Sequence, residues 1–241
     1  MVGDVAIRAL GFDVFGTVVD WRSSVARDAA PVLADLGRDD IDPAAFAMAW
    51  RSRYNPAMEE VRSGRRPFVV LDILHRETLE TTLRHFDIDP SAVGDERLAE
   101  LNLAWHRLDP WPDAAEGLAR LRTRHPVVSL SNGNVALMVE LSRHGGLTWD
   151  AVLGAEHARA YKPDPAVYLR TAEALALRPD ELCLVAAHHA DLTAARACGL
   201  VTAFVTRPDE YGGAPAPDRD MVQEWEHSAT SLLDLADQLG C

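Results

Sequence analysis

Short apolar runs of strand length, separated by segments with helical spacing, constrain the fold of this chain more than any other feature. They are Ala6 to Phe12, Val127 to Leu130, Ala151 to Leu153, Leu182 to Ala186 and Thr202 to Val205. Continuous apolar runs this short are buried on both faces, and strands buried on both faces with helices between them build a parallel sheet. Between the first two runs, Trp21 to His106 shows no strand pattern. Amphipathic spacing there predicts helices over Ser23 to Leu36, Pro43 to Arg53, Val69 to His85 and Arg97 to Trp105. The expected architecture is α/β: a parallel-sheet core of residues 1–20 and 107–241, interrupted by an all-helical insertion of residues 21–106. The turn Asp109-Pro110-Trp111-Pro112-Asp113 marks the return to the core, because its two prolines withdraw backbone donors and stop a helix. Asp113 or a neighbour is placed to cap a helix from Ala114 to Arg122, and further helices are expected over Val135 to Arg143, Val167 to Leu177 and near Thr230 to Leu239.

With 241 residues, 48% of them hydrophobic, the chain can bury one sizeable core and a smaller second one. Its formal net charge of −13 argues against nucleic acid or an anionic membrane surface as a partner. An anionic substrate then needs a locally positive site, and Arg51 to Arg66 holds five arginines against Glu59 and Glu60. Cys183, Cys198 and Cys241, an odd number at irregular spacing, fit reduced thiols rather than a disulfide framework. No 18 apolar residues run together and Met1 to Arg8 holds no long apolar stretch, so a soluble, cytoplasmic protein is expected.

Open parallel sheets bind ligands beyond the carboxyl ends of their strands. Four strand ends carry polar groups: Asp13-Val14-Phe15-Gly16-Thr17, Ser131-Asn132-Gly133-Asn134, Tyr161-Lys162-Pro163-Asp164 and His188-His189-Ala190-Asp191. Each taken alone has a plain structural reading. Asp before Gly-Thr stabilises a turn, Ser-Asn-Gly is turn chemistry, Lys before Pro-Asp is a solvated helix entry, and Arg51 sits on a solvated face. Their convergence on one sheet edge outweighs those readings. His188 and His189 are adjacent on an extended end and point opposite ways, with no third ligand at helical spacing, so no metal site is predicted. Trp50, Tyr54, Phe68 and Trp105 read mainly as helical core, with Tyr54 and Phe68 placed to shield the site.

In order and spacing, Asp13 with Gly16 and Thr17, Ser131 with Asn132, Lys162-Pro163-Asp164 and Asp191 resemble the haloacid dehalogenase superfamily, over residues 6 to about 206. Phe15 two places after Asp13, the pair Trp50-Arg51, and Tyr168 after the Lys-Pro-Asp segment resemble the L-2-haloacid dehalogenases within it. The resemblance implies a Rossmann-like core with a helical cap, a 2-haloacid and water as reactants, and neither metal nor organic cofactor. It implies Asp13 as the nucleophile and Lys162 as the cation that keeps it ionised. Thr17, Ser131 and Asn132 would hydrogen-bond the nucleophile and the substrate carboxylate, and Arg51 with Asn132 would face the halide. Asp191 would orient Lys162 or activate water, and Tyr168 would support Lys162 or line the site.

Phe15 carries a chemical argument of its own. An alkoxide leaving from phosphate is a strong base, and a positioned acid is worth about 10²–10⁴-fold to its departure. That acid is usually an aspartate where this chain has Phe15. Halide leaves unprotonated, so a carboxylate can displace it from carbon and the resulting ester is then hydrolysed to a hydroxy acid. The alternatives are a Mg²⁺-dependent phosphatase, with the metal held by Asp13, the Val14-Phe15 backbone and Asp191, and a silent binding protein on the same scaffold. Where the resembled enzymes read Ser-Asn-x-x-Asp, this chain reads Ala187-His188-His189-Ala190-Asp191. His188 in place of the amide either replaces it as a hydrogen-bond donor or changes how the hydrolytic water is held, and as an added donor with Arg51 it suits short haloacids, fluoroacetate included. The stretch from Arg207 through Tyr211-Gly212-Gly213 to Pro217 reads as a loop without a catalytic role. Apolar stripes on the cap helices suit either packing on the core or a homodimer face.

Overall fold

The computed structural model describes residues 6–241, so the first five residues of the expected core lie outside the described residues. The strands are β1 (Ala9–Phe12), β2 (Val19–Asp20), β3 (Asp109–Pro110), β4 (Val127–Ser131), β5 (Ala151–Gly154), β6 (Leu182–Ala186), β7 (Val201–Val205) and β8 (His227–Ala229). Six of them form one sheet in the order β5-β4-β1-β6-β7-β8, every neighbouring pair parallel. All five predicted runs are strands of this sheet. β8 was not predicted, because three residues with an exposed Ser228 in the middle give no apolar run. β1, β4 and β6 are buried along their whole length, as a central parallel strand covered on both faces must be. The register pairs Phe12 with both Ser129 and Val185, so the chain leaves β1 mid-sheet, between the ends of β4 and β6.

Between β2 and β3 lie α1 (Trp21–Asp35), α2 (Pro43–Ser52), α3 (Tyr54–Arg62), α4 (Leu71–His85), α5 (Pro90–Val93) and α6 (Asp95–Asn102). After β3 come α7 (Ala114–Leu121), α8 (Val135–Gly145), α9 (Ala155–Ala158), α10 (Pro165–Ala174), α11 (His189–Ala197) and α12 (Leu232–Gln238). Three Asp-Pro pairs start helices in the same way: Asp42, Asp89 and Asp164 accept backbone N–H bonds in the first turn while the following proline fills a position needing no donor. α3 escaped the sequence reading because Pro56 lies inside its nine residues; the proline stands in the first turn, where its missing N–H costs nothing. Entry to and exit from the helical segment are tied together, since β2 and β3 pair antiparallel through Val19↔Pro110 and Asp20↔Asp109.

Asp113 does not cap α7, contrary to expectation. Its carboxylate instead accepts both Arg207 Nη groups, at 2.8 and 3.0 Å, and the Leu232 N–H, at 2.6 Å. A buried guanidinium fork is a stronger claim on a carboxylate than an exposed helix end. Among the described residues no helix is long and apolar enough to cross a membrane.

The helical segment packs on the sheet edge through a cluster of Phe15, Trp21, Trp50, Tyr54, His75 and Trp105. His75 is buried there, stacked on Trp105 at 4.3 Å, and neither ring nitrogen has a hydrogen-bond partner among the described residues. Burial pushes its pKa from 6.5 down to about 3. An unfolded chain therefore binds a proton at His75 that the folded one refuses, and stability falls as pH drops below 6.5 toward 3. His75→Phe keeps the stacked ring and strands no hydrogen bond. It is expected to recover about 2 kcal/mol relative to wild type at pH 5 and little at pH 8, read from denaturant melts at the two pH values.

Candidate active site

Beyond the carboxyl edge of the sheet lies a cavity of about 390 Å³, its wall including Asp13, Phe15, Arg51, Asn132, Lys162, His188 and Asp191. Asp13 is fixed by its N–H, which donates to Val185 O of β6 at 3.0 Å, and the chain then turns sharply at Gly16, whose φ is +88°. Its Oδ1 accepts from Lys162 Nζ at 2.9 Å, and its Oδ2 from Thr17 Oγ1 at 2.7 Å and His188 Nδ1 at 2.9 Å. The Thr17 oxygen is already accepting the Ala187 N–H at 2.9 Å, so its one proton is committed to Asp13.

Lys162 also donates to Asp191 Oδ2, and Tyr168 donates its hydroxyl to Asp191 Oδ1 at 2.6 Å. Tyr168 therefore supports Asp191, not Lys162 directly as was expected, and is itself buried behind the wall. Burial alone pushes the Asp13 carboxyl up, but Lys162 and His188 more than reverse it and hold Asp13 well below the usual carboxylate range. Burial lifts Asp191 above its ordinary value, with Asp13's charge adding to the rise against the pull of Lys162. Lys162, despite its burial, is held firmly protonated by the two carboxylates.

The loop after β4 contributes through its amide. Asn132 Oδ1 accepts the Lys162 N–H at 2.9 Å, which fixes the amide so that its NH₂ is the end left for the cavity. Ser131 departs from expectation: it is fully buried, its Oγ accepts the Gly133 N–H at 3.0 Å, and among the described residues it makes no bond to Asp13. It shapes the turn that presents Asn132. Arg51 reaches the cavity from α2 with no carboxylate partner among the described residues, whereas Arg62, also in the wall, is committed to Glu59, Asn55 O and Lys162 O.

His188, expected to face the substrate or to alter how water is held, lines the cavity and is seated against Asp13. Its Nε2 lies 3.0 and 3.1 Å from the two oxygens of Glu210, its Nδ1 against Asp13, so with two acceptors the ring donates from both nitrogens as an imidazolium. Burial works against that charge, but Glu210 and Asp13 raise its pKa well above 6.5. Its neighbour His189 points away, taking a bond from Trp225 Nε1 at 3.1 Å and stacking on Phe204 at 4.4 Å. Among the described residues, no three His, Cys, Asp or Glu side chains are arranged to hold a metal ion.

A family model of haloacid dehalogenase-like hydrolases matches residues 7–199. The chain belongs to that family. The haloacid dehalogenase-like chain is 31% identical to (S)-2-haloacid dehalogenase 4A of Burkholderia cepacia, over 95% of its own length and 94% of the relative's. Among solved structures it is similar to a defluorinating L-2-haloacid dehalogenase, with TM-score 0.94 and 46% identity over 98% of this chain and 96% of that one. It is also similar to the L-2-haloacid dehalogenase of Xanthobacter autotrophicus with chloropropionic acid covalently bound, with TM-score 0.80 and 25% identity over 97% and 98% of the two chains.

Glu210 went unrecognised in the sequence, where its loop was read as having no catalytic role. That reading is corrected to this extent: Glu210 is buried, receives Trp21 Nε1 at 3.0 Å and holds His188, while Tyr211, Pro217 and Asp218 of the same loop line the cavity. Gly16 makes room for it, since a Cβ there would lie 2.1 Å from Glu210 Oε1. A usable signal was present. The strand-end rule applied to four strands holds equally for β7, whose carboxyl end leads into this loop.

Proposed function

We propose that this protein hydrolyses the carbon–halogen bond of short 2-haloacids through an ester on Asp13. The observation that carries the reading is an ionised, buried carboxylate clamped by Lys162 with an apolar ring, Phe15, where phosphate transfer would need an acid. In this reading residues 1–20 and 107–241 form the catalytic core and residues 21–106 the cap that lowers Arg51 onto it. An Asp13 oxygen attacks C2 from the side opposite the halogen, the C–O bond forms as the C–X bond breaks, and C2 inverts. Halide leaves as an anion toward Arg51 and the Asn132 amide. The substrate carboxylate lies among the loop amides after β1 and β4, with Lys162 neutralising the site.

Esterification removes the negative charge of Asp13 that helps hold His188 protonated. The imidazolium gives up its Nδ1 proton to solvent, and the imidazole that results, oriented by Glu210, takes a proton from the water that attacks the ester carbonyl. Collapse of the tetrahedral intermediate expels the alkoxide, which is protonated to the 2-hydroxy acid, and restores Asp13. Net, one water and one C–X bond are consumed, and hydroxy acid, halide and one proton are released. The similarity to a defluorinating relative supports extending the substrates to fluoroacetate. Three free cysteines fit a reducing, cytoplasmic setting.

Chelator-insensitive halide release from (S)-2-chloropropionate, without turnover of an aryl phosphate in Mg²⁺, is the expected result. In a single turnover in ¹⁸O-water the label should enter the Asp13 carboxylate. Phosphatase turnover, or label at any other residue, would overturn the assignment. Fluoride-electrode assays with fluoroacetate decide the extension separately.

A further inference from the structure

Arg51 differs from the other cations of the cavity in how it is held. Lys162 rests between two carboxylates and Arg62 spends its donors on Glu59 and two carbonyls. Arg51 is held by ring faces: its guanidinium carbon lies 3.9 Å from the centre of the Tyr54 ring and 5.5 Å from that of Trp21. α2 ends at Ser52 and α3 begins at Tyr54, so the break at Arg53 is what turns the Tyr54 ring onto a residue only three places earlier. Trp21 is fixed in turn by its bond to Glu210 at 3.0 Å and by stacking on Trp105 at 6.4 Å.

A guanidinium carries its five N–H donors in the plane of the group, while an aromatic ring engages its face. Stacking thus fixes the position of Arg51 without using a single donor. Its Nη1 is buried and has no hydrogen-bond partner among the described residues. A carboxylate partner would occupy those donors and offset the positive charge. We propose that Tyr54 and Trp21 are positioning residues that hold Arg51 by its faces so that its donor edge stays open for the departing halide. The inference rests on the assignment of Arg51 to the leaving group made above.

The experiment compares wild type, Tyr54→Leu, Tyr54→Phe and a protein with pentafluorophenylalanine at position 54, which keeps the ring's shape while reversing its quadrupole. Halide release in a single turnover is followed with 2-chloropropionate and 2-bromopropionate, and inhibition by added chloride is measured. Loss of the cation–ring attraction in Tyr54→Leu and in the fluorinated protein should slow chloride release about tenfold and bromide release less, about threefold, because the weaker C–Br bond asks less of the halide site. Chloride inhibition should weaken in parallel, and Tyr54→Phe should behave as wild type. If Tyr54→Leu fails to fold, the fluorinated protein decides. Equal slowing with both halides, or unchanged chloride inhibition, overturns the proposal and leaves the dehalogenase reading standing. No halide release from wild type overturns both.

Discussion

His188→Gln is expected to divide the reaction in two, releasing about one equivalent of halide per active site and then nearly stopping. Displacement of halide needs Asp13 ionised, and Lys162 and Thr17 still hold it so in the variant. In the proposed mechanism attack of water on the ester needs a base, and the ring between Asp13 and Glu210 takes that part after Asp13 has lost its charge. Removing a positioned base slows the assisted step by about 10²–10⁴-fold. Intact-protein mass spectrometry should then show the variant carrying the substrate-derived group on Asp13. Steady turnover at the wild-type rate with no covalent species would remove His188 from the hydrolytic step. Glu210→Gln should show the same burst with faster decay, because the imidazole remains while its orienting charge is lost.

Lys162→Met is expected to cost both activity and stability. It leaves Asp13 and Asp191 buried with no cation between them, and breaking a buried ion pair from one side costs about 3–5 kcal/mol. One carboxyl must then take up a proton to relieve the repulsion, which lowers the fraction of nucleophile available. Halide release should fall by about 10³-fold or more. The pH dependence shifts as well. In wild type Asp13 lies below its unfolded value, so its contribution to stability is present at neutral pH and is lost as pH falls through the carboxylate range. Asp191, already above its unfolded value in wild type, rises further without its cation while His188 still faces Asp13, so acidification relieves more of the variant's destabilisation. Urea melts at pH 4.5 and pH 7.5 check this: the deficit of the variant should narrow at the lower pH, and a constant deficit would contradict the electrostatic account.

What could be read from the sequence followed from periodic signals. The apolar runs marked five strands because burial in a parallel sheet leaves few polar residues inside them, and the strand-end rule then brought Asp13, Asn132, Lys162 and Asp191 to one edge. Side chains that act through others were harder to place. Ser131 and Tyr168 sit one layer behind the wall, a distinction that depends on rotamers and not on spacing. Glu210 was missed because its loop has no period and its partners, Trp21 and His188, are far away in the chain. The role of Asp113 was misread for a similar reason, since its competitor for a helix end, Arg207, is also remote in sequence.

The antiparallel ribbon of β2 and β3 has a consequence for how such a molecule can be altered. Because Val19 and Asp20 lie beside Pro110 and Asp109, everything between them leaves and rejoins the sheet at a single point. A chimaera cut at those two positions would exchange Arg51 and Tyr54 for another enzyme's equivalents while Asp13, Lys162 and His188 stayed in their own loops at the sheet edge. If the proposed role of Arg51 holds, leaving-group preference should travel with that segment, provided the incoming one keeps a partner for Glu210 in the place of Trp21.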